Sequence, residues 1–159
     1  MYPLLDKQKT TIFTYKNYTM LRAIPFLLFD GNCAEAMIFY HKCIGGELLL
    51  TKLIDTPMKE QFPVEKYNRI INATLKSGAI EISAADWMAS PAFEPLQGNT
   101  TAIFIIGGPN DELKIVFDKL SEGCERSRFQ ELHNLPFGTY GQFYDRYGVQ
   151  WIFKGDNKE

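Results

Sequence analysis

The sequence has no long apolar run, no excess of one charge and only two histidines. Its 159 residues include 17 Lys or Arg and 19 Asp or Glu, for a formal net charge of -2. A chain this close to neutral lacks the basic footprint of proteins that bind nucleic acid. No stretch offers the roughly 20 consecutive apolar residues that a membrane-spanning helix needs. We therefore expect neither nucleic acid nor a membrane as a partner.

Cysteines and glycine-rich loops are also scarce. The three cysteines are Cys33, Cys43 and Cys124, and no two of them form a C-x-x-C pair. This number and spacing argue against a disulfide framework and against a zinc site, and favour a reduced, cytoplasmic setting. Gly31 is a single glycine after the first predicted strand, so the fingerprint of a nucleotide or S-adenosylmethionine site is missing. We expect no cofactor.

Apolar and polar residues alternate through residues 137–153, on both sides of the segment 145–148. This pattern around a glycine-ended turn predicts a β-hairpin. Side chains alternate between the two faces of a strand, so the hairpin has an apolar face and a polar face. The apolar set is Phe143, Val149, Trp151 and Phe153, and the polar set is Tyr140, Gln142, Tyr144 and Gln150. The first set suits a core, and the second suits a polar cavity or water.

A similar hairpin is predicted earlier in the chain, over residues 69–75 and 79–83. Its apolar set is Ile71, Ala73, Leu75, Ile80 and Ile82, and its polar set is Asn72, Thr74, Glu81 and Ser83. A slip of one residue would turn the Glu81 carboxylate toward the core at a cost of several kcal/mol. The stated register is therefore strongly favoured.

The chain repeats one plan of strand, helix and three strands. In the first copy a strand over residues 24–29 leads into a helix that runs to about Ile44, with Asn32 as its N-cap and Glu35 as the capping-box partner. A shift of 78 residues then places Phe104 on Phe26 and Asn110 on Asn32. Two copies of such a unit should pack together, because neither can bury its sheet alone.

The motifs at these turns resemble a known superfamily. They comprise residues 24–27, 31–36, 39–40 and 45–47, then Tyr140-Gly141 and the most specific stretch, residues 145–151. They resemble the vicinal oxygen chelate superfamily of glyoxalase I, ring-cleaving dioxygenases and bleomycin-resistance proteins. Within it they are most similar to the PhnB-like branch, also labelled demethylubiquinone methyltransferase-like.

This resemblance covers about residues 23–154 and implies the fold. It implies an α+β protein in which two βαβββ modules form a curved mixed sheet with helices on the convex face. Residues 20–159 would form one such domain, with halves at about 23–98 and 99–154. Residues 1–19 would be a flexible extension, an upstream-start extension or a strand lent to a partner.

Metal-using members of the superfamily place His, Gln or Glu on four strands around the cavity. The corresponding places here fall near Pro25-Phe26, Glu81-Ile82, residues 100–102 and Ile152. Only Glu81 could bind a metal, and Asn72 stands where PhnB-like relatives often have His. One carboxylate cannot hold a catalytic ion without partners, so we expect no metal site.

Three functional hypotheses follow. The leading one is a homodimeric protein that binds a small organic molecule in the concave cavity. The ligand-binding residues would be Asn72, Thr74, Ser83, His133, Tyr140, Gln142, Tyr144 and Gln150. The alternative is a metal-independent or weakly metal-assisted enzyme of the lyase or isomerase type, with Glu81 as a general base whose pKa rises in an apolar-walled cavity. The third is a structural dimer without a ligand.

The first two hypotheses require that both polar sets face one cavity. The apolar sets would then lie under the helices, with Trp151 deeply buried beside Phe39 or Phe117.

Overall fold

The computed structural model describes residues 21–156, which form two successive units of strand, helix and three strands. Residues 1–19, the predicted extension, lie outside the described part of the chain. The helices are α1 (Cys33–Ile44) and α2 (Asn110–Leu120). The strands are β1 (Phe26–Phe29), β2 (Glu47–Lys52), β3 (Ile70–Ser77), β4 (Ile80–Asp86), β5 (Ile103–Ile106), β6 (Phe129–Leu135), β7 (Gly138–Tyr144) and β8 (Gln150–Gly155).

The strands hydrogen-bond as two four-stranded mixed sheets. Sheet A has the order β1-β4-β3-β2, and sheet B repeats it as β5-β8-β7-β6. The pairs β1–β4 and β5–β8 are parallel, and the other pairs are antiparallel. This architecture confirms the predicted α+β fold of two βαβββ modules. It also leaves β1 and β5 at the ends of their sheets, where each is paired on one side only.

One hydrophobic core joins both sheets and both helices. The buried sheet residues Ala73, Leu75, Ile82, Phe143, Trp151 and Phe153 all belong to it. Ile80 and Val149 are partly buried against it. The predicted assignment of apolar faces therefore holds for both hairpins with one correction. Ile71 lies outside this core and Ile70 is buried in its place, next to a register shift in the β2–β3 pairing.

Trp151 is fully buried, as predicted, but its neighbour is different. The ring that it meets is Tyr40 of α1, at 5.4 Å between ring centroids. Phe39 contacts Tyr147 instead, and Phe117 packs among the aromatic residues of sheet B. The first helix, which packs mainly on the first sheet, thus also reaches the second sheet through Tyr40, which a prediction made separately for each half does not anticipate.

The N-terminus of α1 is capped differently from the prediction. Asn32 makes no side-chain cap hydrogen bond. Glu35 does not complete a capping box, because its carboxylate accepts a hydrogen bond from the Tyr147 hydroxyl at 3.0 Å. The cap comes from the last residue of β4, Asp86, whose Oδ1 accepts from the backbone N–H groups of Gly31 and Cys33. Its Oδ2 accepts from the N–H of Ile70, so this buried carboxylate also fixes the start of β3.

No helix among residues 21–156 is long and apolar enough to cross a membrane.

Candidate functional site

The turn between β7 and β8 is held by a buried carboxylate. Oδ1 of Asp145 accepts from the backbone N–H groups of Tyr147 and Val149, at 2.8 and 3.0 Å. Its Oδ2 accepts from the Tyr40 hydroxyl at 2.7 Å and from Nε1 of Trp151 at 2.8 Å. Burial raises the pKa of Asp145, and the four hydrogen bonds oppose that shift by stabilising the charged form. The residue fastens the second half of the chain to the first helix.

The same turn brings Tyr147 into the interface between the halves. Its ring lies 6.5 Å from that of Phe29, the last residue of β1, and it also packs on Tyr40. Burial and the hydrogen bond to Glu35 raise the pKa of Tyr147 to about 12. The hydroxyl therefore stays protonated at neutral pH and acts as a donor between the two halves.

A groove of about 830 Å³ opens where the halves meet, and we call it the interhalf groove. One wall is the free edge strand β1, another is the turn before β8, and the third is the segment that leads into β5. Its lining comprises Pro25, Phe26, Leu27, Leu28, Phe29, Asp30, Asn32, Pro95, Leu96, Gln97, Gly98, Thr101, Ala102, Ile103, Tyr147, Gly148, Val149 and Gln150. The one charged group of this lining, Asp30, is neutralised by Arg69 at 2.6 Å. The groove is thus mostly apolar, with a few uncharged polar groups.

Gly148 shapes one side of this groove. It has a φ of +81°, which glycine adopts without strain, and its N–H bonds to the carbonyl of Asp145 at 3.0 Å. A Cβ at this position would overlap the side chain of Gln97, which crosses the glycine closely. Any larger residue would be strained at this φ and would displace the end of the Gln97 side chain.

Polar side chains on the open face of sheet B form a continuous ladder. Tyr144 donates to Gln150 at 3.0 Å, Gln150 donates to Gln142 at 3.5 Å, and Gln142 donates to Gln130 at 3.0 Å. Three of the predicted ligand-binding residues are therefore in contact with one another. The ladder lines a second cavity of about 310 Å³, which we call the arginine cleft. The residues that line the arginine cleft are Ser127, Arg128, Phe129, Gln130, Gln142, Phe143, Tyr144 and Gln150.

The open face of sheet A carries the other predicted set. Strand register places Ser83 opposite both Phe26 and Thr74, and places Thr74 opposite Leu49, so these four side chains form one row across the sheet. Asn72 is exposed on the next row, opposite Thr51. This face therefore presents hydroxyls and an amide between exposed apolar groups.

Glu81 lies on this open face, as its register requires, but not among apolar walls. Its carboxylate pairs with Arg22 through a short contact, and with Lys76 at 3.8 Å. The Glu81 side chain is 19% exposed and lies between two cations. The enzyme hypothesis requires instead that it lie in an apolar-walled cavity. The structure does not favour Glu81 as a general base.

The remaining predicted residues lie at the edge of sheet B. His133 pairs with Tyr140 across β6 and β7, and the two rings are 6.4 Å apart. Nδ1 of His133 is in hydrogen-bond contact with the carbonyl of Glu131 at 2.9 Å. Neither residue lines the interhalf groove or the arginine cleft.

The two polar sets are thus not assembled in either cavity of the single chain. Gln150 lines both cavities, and Gln142 and Tyr144 line the arginine cleft. The members from sheet A, namely Asn72, Thr74, Glu81 and Ser83, line neither. Because the core faces of both sheets pack on one core, both open faces point away from it.

Sequence patterns missed several residues that shape the site. Asp145 lies in the predicted turn of residues 145–148 and Asp86 ends β4, and nothing in the local sequence indicates that a polar residue at such a position will be buried. Arg128 precedes β6 and only tertiary packing brings its guanidinium within 3.6 Å of the Tyr144 ring centre. Burial raises the pKa of Cys33 at the start of α1 to about 12, which keeps the thiol protonated at neutral pH.

Within residues 21–156, no three His, Cys, Asp or Glu side chains lie close enough together to hold a metal ion. The donors that do occur near the cavities are amides, hydroxyls and one guanidinium. Such groups bind organic ligands by hydrogen bonds rather than by coordinating a metal.

Known proteins share this architecture. No family model matches the sequence. The chain is 24% identical to protein YjdN of Escherichia coli K12 over 135 residues, which cover 80% of this chain and 90% of YjdN. Among solved structures, protein PA1353 of Pseudomonas aeruginosa matches with a TM-score of 0.73 and 28% identity, over 87% of this chain and 99% of that one.

Two further structures define the wider group. A Bacillus cereus PhnB protein, described as a 3-demethylubiquinone-9 3-methyltransferase, matches with a TM-score of 0.64 and 22% identity, over 85% and 99% of the two chains. A glyoxalase/bleomycin resistance protein/dioxygenase domain from Frankia matches with a TM-score of 0.52 and 11% identity, over 91% and 100%. These likenesses show that the chain has the fold of the glyoxalase/bleomycin resistance/dioxygenase proteins.

The predicted resemblance to PhnB-like proteins agrees in fold with the Bacillus cereus PhnB structure. Residues 145–151, the most specific stretch of this resemblance, have a structural role. Asp145 and Trp151 hold the β7–β8 turn, and Tyr147 joins it to β1. These residues thus account for part of the fold, whereas the function must be argued from the cavities.

Proposed function

We propose that the protein binds a small organic molecule in the interhalf groove. The observation that carries this proposal is the groove itself, because about 830 Å³ falls within the 300–1,000 Å³ typical of ligand pockets. Such pockets combine apolar walls with a few polar groups that orient the ligand. Here Phe26, Leu28 and Ile103 supply apolar surface, and Gln97 and Gln150 supply uncharged hydrogen-bonding groups.

The proposal includes a homodimer. Phe26 is 59% exposed on β1 and Phe104 is 54% exposed on β5, and each of these strands lies at one end of its sheet, where its outer edge is unpaired among the described residues. Ile106 adds a third exposed apolar side chain on β5. Unpaired strand edges with apolar side chains favour association with another chain, and a second copy is the simplest partner. That copy would also bring its own open sheet faces toward the groove.

We also place the protein in the cytoplasm. All three cysteines are free thiols, and Cys33 and Cys43 are buried in the core. Free thiols are typical of the reducing cytoplasm, whereas disulfides form and persist in oxidising compartments.

Ligand binding is tested by filling the groove. Ala102 lines the groove, whereas Ala89 is an exposed residue outside it. Neutral fragments are screened by ligand-observed NMR against the wild-type protein, Ala102→Trp and the matched control Ala89→Trp. We expect fragments whose binding weakens at least about tenfold in Ala102→Trp and stays within twofold in Ala89→Trp, because the indole occupies their volume. If no fragment separates the two variants, the proposed function is wrong.

The dimer is tested by light scattering at micromolar concentration. The wild-type protein should give twice the chain mass of 18.2 kDa. Phe104→Lys should shift it toward the monomer, since a charge is costly in an interface. Ile115→Lys is the matched control, because Ile115 is also 54% exposed but lies on α2. A monomeric wild-type protein would refute the dimer.

A further inference from the structure

The arginine cleft adjoins the interhalf groove and shares Gln150 with it. The two cavities differ in chemistry. The groove is mostly apolar and has no unpaired charge, whereas the cleft is lined by an arginine, three glutamine side chains, a tyrosine and a serine. A ligand that extends from one cavity to the other would therefore meet an apolar region and a polar end.

Arg128 is held so that part of its guanidinium remains available. Its Nε donates to Glu125 at 2.9 Å, and its planar group lies on the ring of Tyr144 at 3.6 Å from the ring centre. These two contacts fix the guanidinium, which lowers the entropy that a ligand must offset on binding. Neither Nη group donates a hydrogen bond to any residue between 21 and 156. The free Nη groups form a planar pair of charged donors.

The glutamine ladder adds neutral donors to this cation. Gln130 ends the ladder as an acceptor, and its Nε2 donates to no described residue. Gln142 and Gln150 hold each other in place, and Tyr144 is fixed between Gln150 and Arg128. Arg128 and Gln130 thus carry nitrogen groups that donate to no described residue, and these groups suit an acceptor with several oxygen atoms.

Acidic groups near the cleft limit its general attraction for anions. Glu125 is exposed, and its carboxylate already accepts from Arg128 and from the Ser127 hydroxyl at 2.6 Å. Glu131, on β6, is exposed one residue beyond Gln130. The local charge is therefore close to balanced, and recognition must come from geometry: a planar fork that matches the two oxygens of an oxyanion.

We propose that the arginine cleft binds the oxyanion end of the ligand, a carboxylate or a phosphonate, while the apolar body lies in the interhalf groove. The ligand class is thus a small organic acid with an apolar body. This assignment rests on the proposed function, since it places the body of the ligand in the groove. It adds a specificity residue, Arg128, that the sequence did not single out.

The test compares an acid with its neutral counterpart. Calorimetry measures binding of benzoate, phenylphosphonate, inorganic phosphate and benzamide to the wild-type protein. We expect benzoate or phenylphosphonate to bind at least about tenfold more tightly than benzamide, because a charge-assisted pair of hydrogen bonds is formed only by the anions. Preference between the two acids shows whether the cleft takes a planar or a tetrahedral oxyanion. Inorganic phosphate, which lacks the apolar body, should bind more weakly than phenylphosphonate.

Arg128→Gln supplies the decisive comparison, with Arg126→Gln as the matched control. Both changes remove one positive charge from the same short turn, but Arg126 lies over the Phe129 ring and does not line the cleft. Arg128→Gln should weaken binding of the acid about tenfold or more without changing the thermal unfolding midpoint beyond that of Arg126→Gln. Arg128→Lys, which keeps the charge but loses the fork, should fall between the wild type and Arg128→Gln.

Equal losses of affinity for the acid in Arg128→Gln and Arg126→Gln would overturn the assignment. Benzamide binding as tightly as benzoate would also overturn it. In that case, groove binding that is still blocked by Ala102→Trp would leave the proposed function intact. If Ala102→Trp changes the binding of no probe, the proposed function itself fails.

Discussion

The hydroxyl of Tyr40 in the first half donates to the carboxylate of Asp145 in the second half, at 2.7 Å within the core. The two residues are 105 positions apart, and the same carboxylate oxygen also accepts from Nε1 of Trp151. A buried charge is tolerated here because four donors surround it. This single side chain couples the orientation of the halves, and therefore the width of the interhalf groove, to the turn that begins β8.

Replacing Asp145 by Ala should destabilise the protein by about 3–5 kcal/mol, because two buried side-chain donors lose their acceptor and the turn loses two backbone hydrogen bonds. Urea unfolding at pH 7 measures the loss. Asp118→Ala is the control, since Asp118 forms an exposed ion pair with Lys114 on α2 and should cost less than about 1 kcal/mol. Similar losses in the two variants would show that Asp145 does not hold the halves together.

The helix cap offers a second comparison. Asp86→Ala should lower the free energy of unfolding by about 2–4 kcal/mol, because three buried backbone N–H groups lose their acceptor. Asn32→Ala should cost less than about 0.5 kcal/mol, since Asn32 makes no side-chain cap hydrogen bond. Chemical unfolding of both variants decides between the cap predicted from the sequence and the one that the structure shows. A larger loss in Asn32→Ala would contradict the structure.

Adjacent glycines after α1 should respond differently to alanine. Gly45 and Gly46 have φ angles of +79° and +90°, so either change strains the backbone by about 1 kcal/mol. A Cβ on Gly45 meets nothing within 4 Å, whereas one on Gly46 would overlap the carbonyl oxygen of Lys76. Gly46→Ala should therefore cost about 1–3 kcal/mol more than Gly45→Ala by thermal or urea unfolding. Equal costs would mean that the helix end does not approach β3 this closely.

Alkaline pH should destabilise the fold through a buried thiol. Burial is the larger cause that raises the pKa of Cys33 to about 12, and the nearby negative charge of Asp86 is the smaller cause. The unfolded thiol ionises near pH 8.5. A group whose pKa is raised on folding stabilises the protein fully below its unfolded pKa, and this stabilisation is lost as pH rises toward the folded value. The free energy of unfolding should thus fall between about pH 8.5 and 12.

Cys33→Ala should reduce this decline by up to about 1.4 kcal/mol per pH unit, measured by urea unfolding at pH 8, 9.5 and 10.5. Other groups contribute to the decline and should remain in the variant, because burial also raises the pKa of Cys43 to about 11. Cys124→Ala, which removes a partly exposed thiol, is the control for cysteine loss. An unchanged slope in Cys33→Ala would show that its thiol is not shielded.

Local sequence patterns were sufficient for the first helix, for the two hairpins and for most of the strand faces. The two-residue period placed Trp151 and Phe153 in the core, and Gln142 and Gln150 on the open side, because a strand residue can face only one way. It failed at Ile71, where a shift in strand register breaks the period. The arrangement of three strands after each helix followed from the repeated turns.

The contacts between distant segments were decided by the tertiary structure alone. Asp86 rather than Asn32 caps α1, because a strand end from 53 residues away reaches the helix N-terminus. Tyr40 rather than Phe39 meets Trp151, because both halves share one core and Tyr40 is the fully buried residue of the two. The same packing forms the interhalf groove and keeps the polar set of sheet A out of it. The sequence alone determined which side chains each strand presents to its open face, since that depends on neighbours in the chain. Which of those side chains meet in one cavity depends on how the two halves dock, and docking is decided by long-range burial and hydrogen bonds that no local pattern encodes.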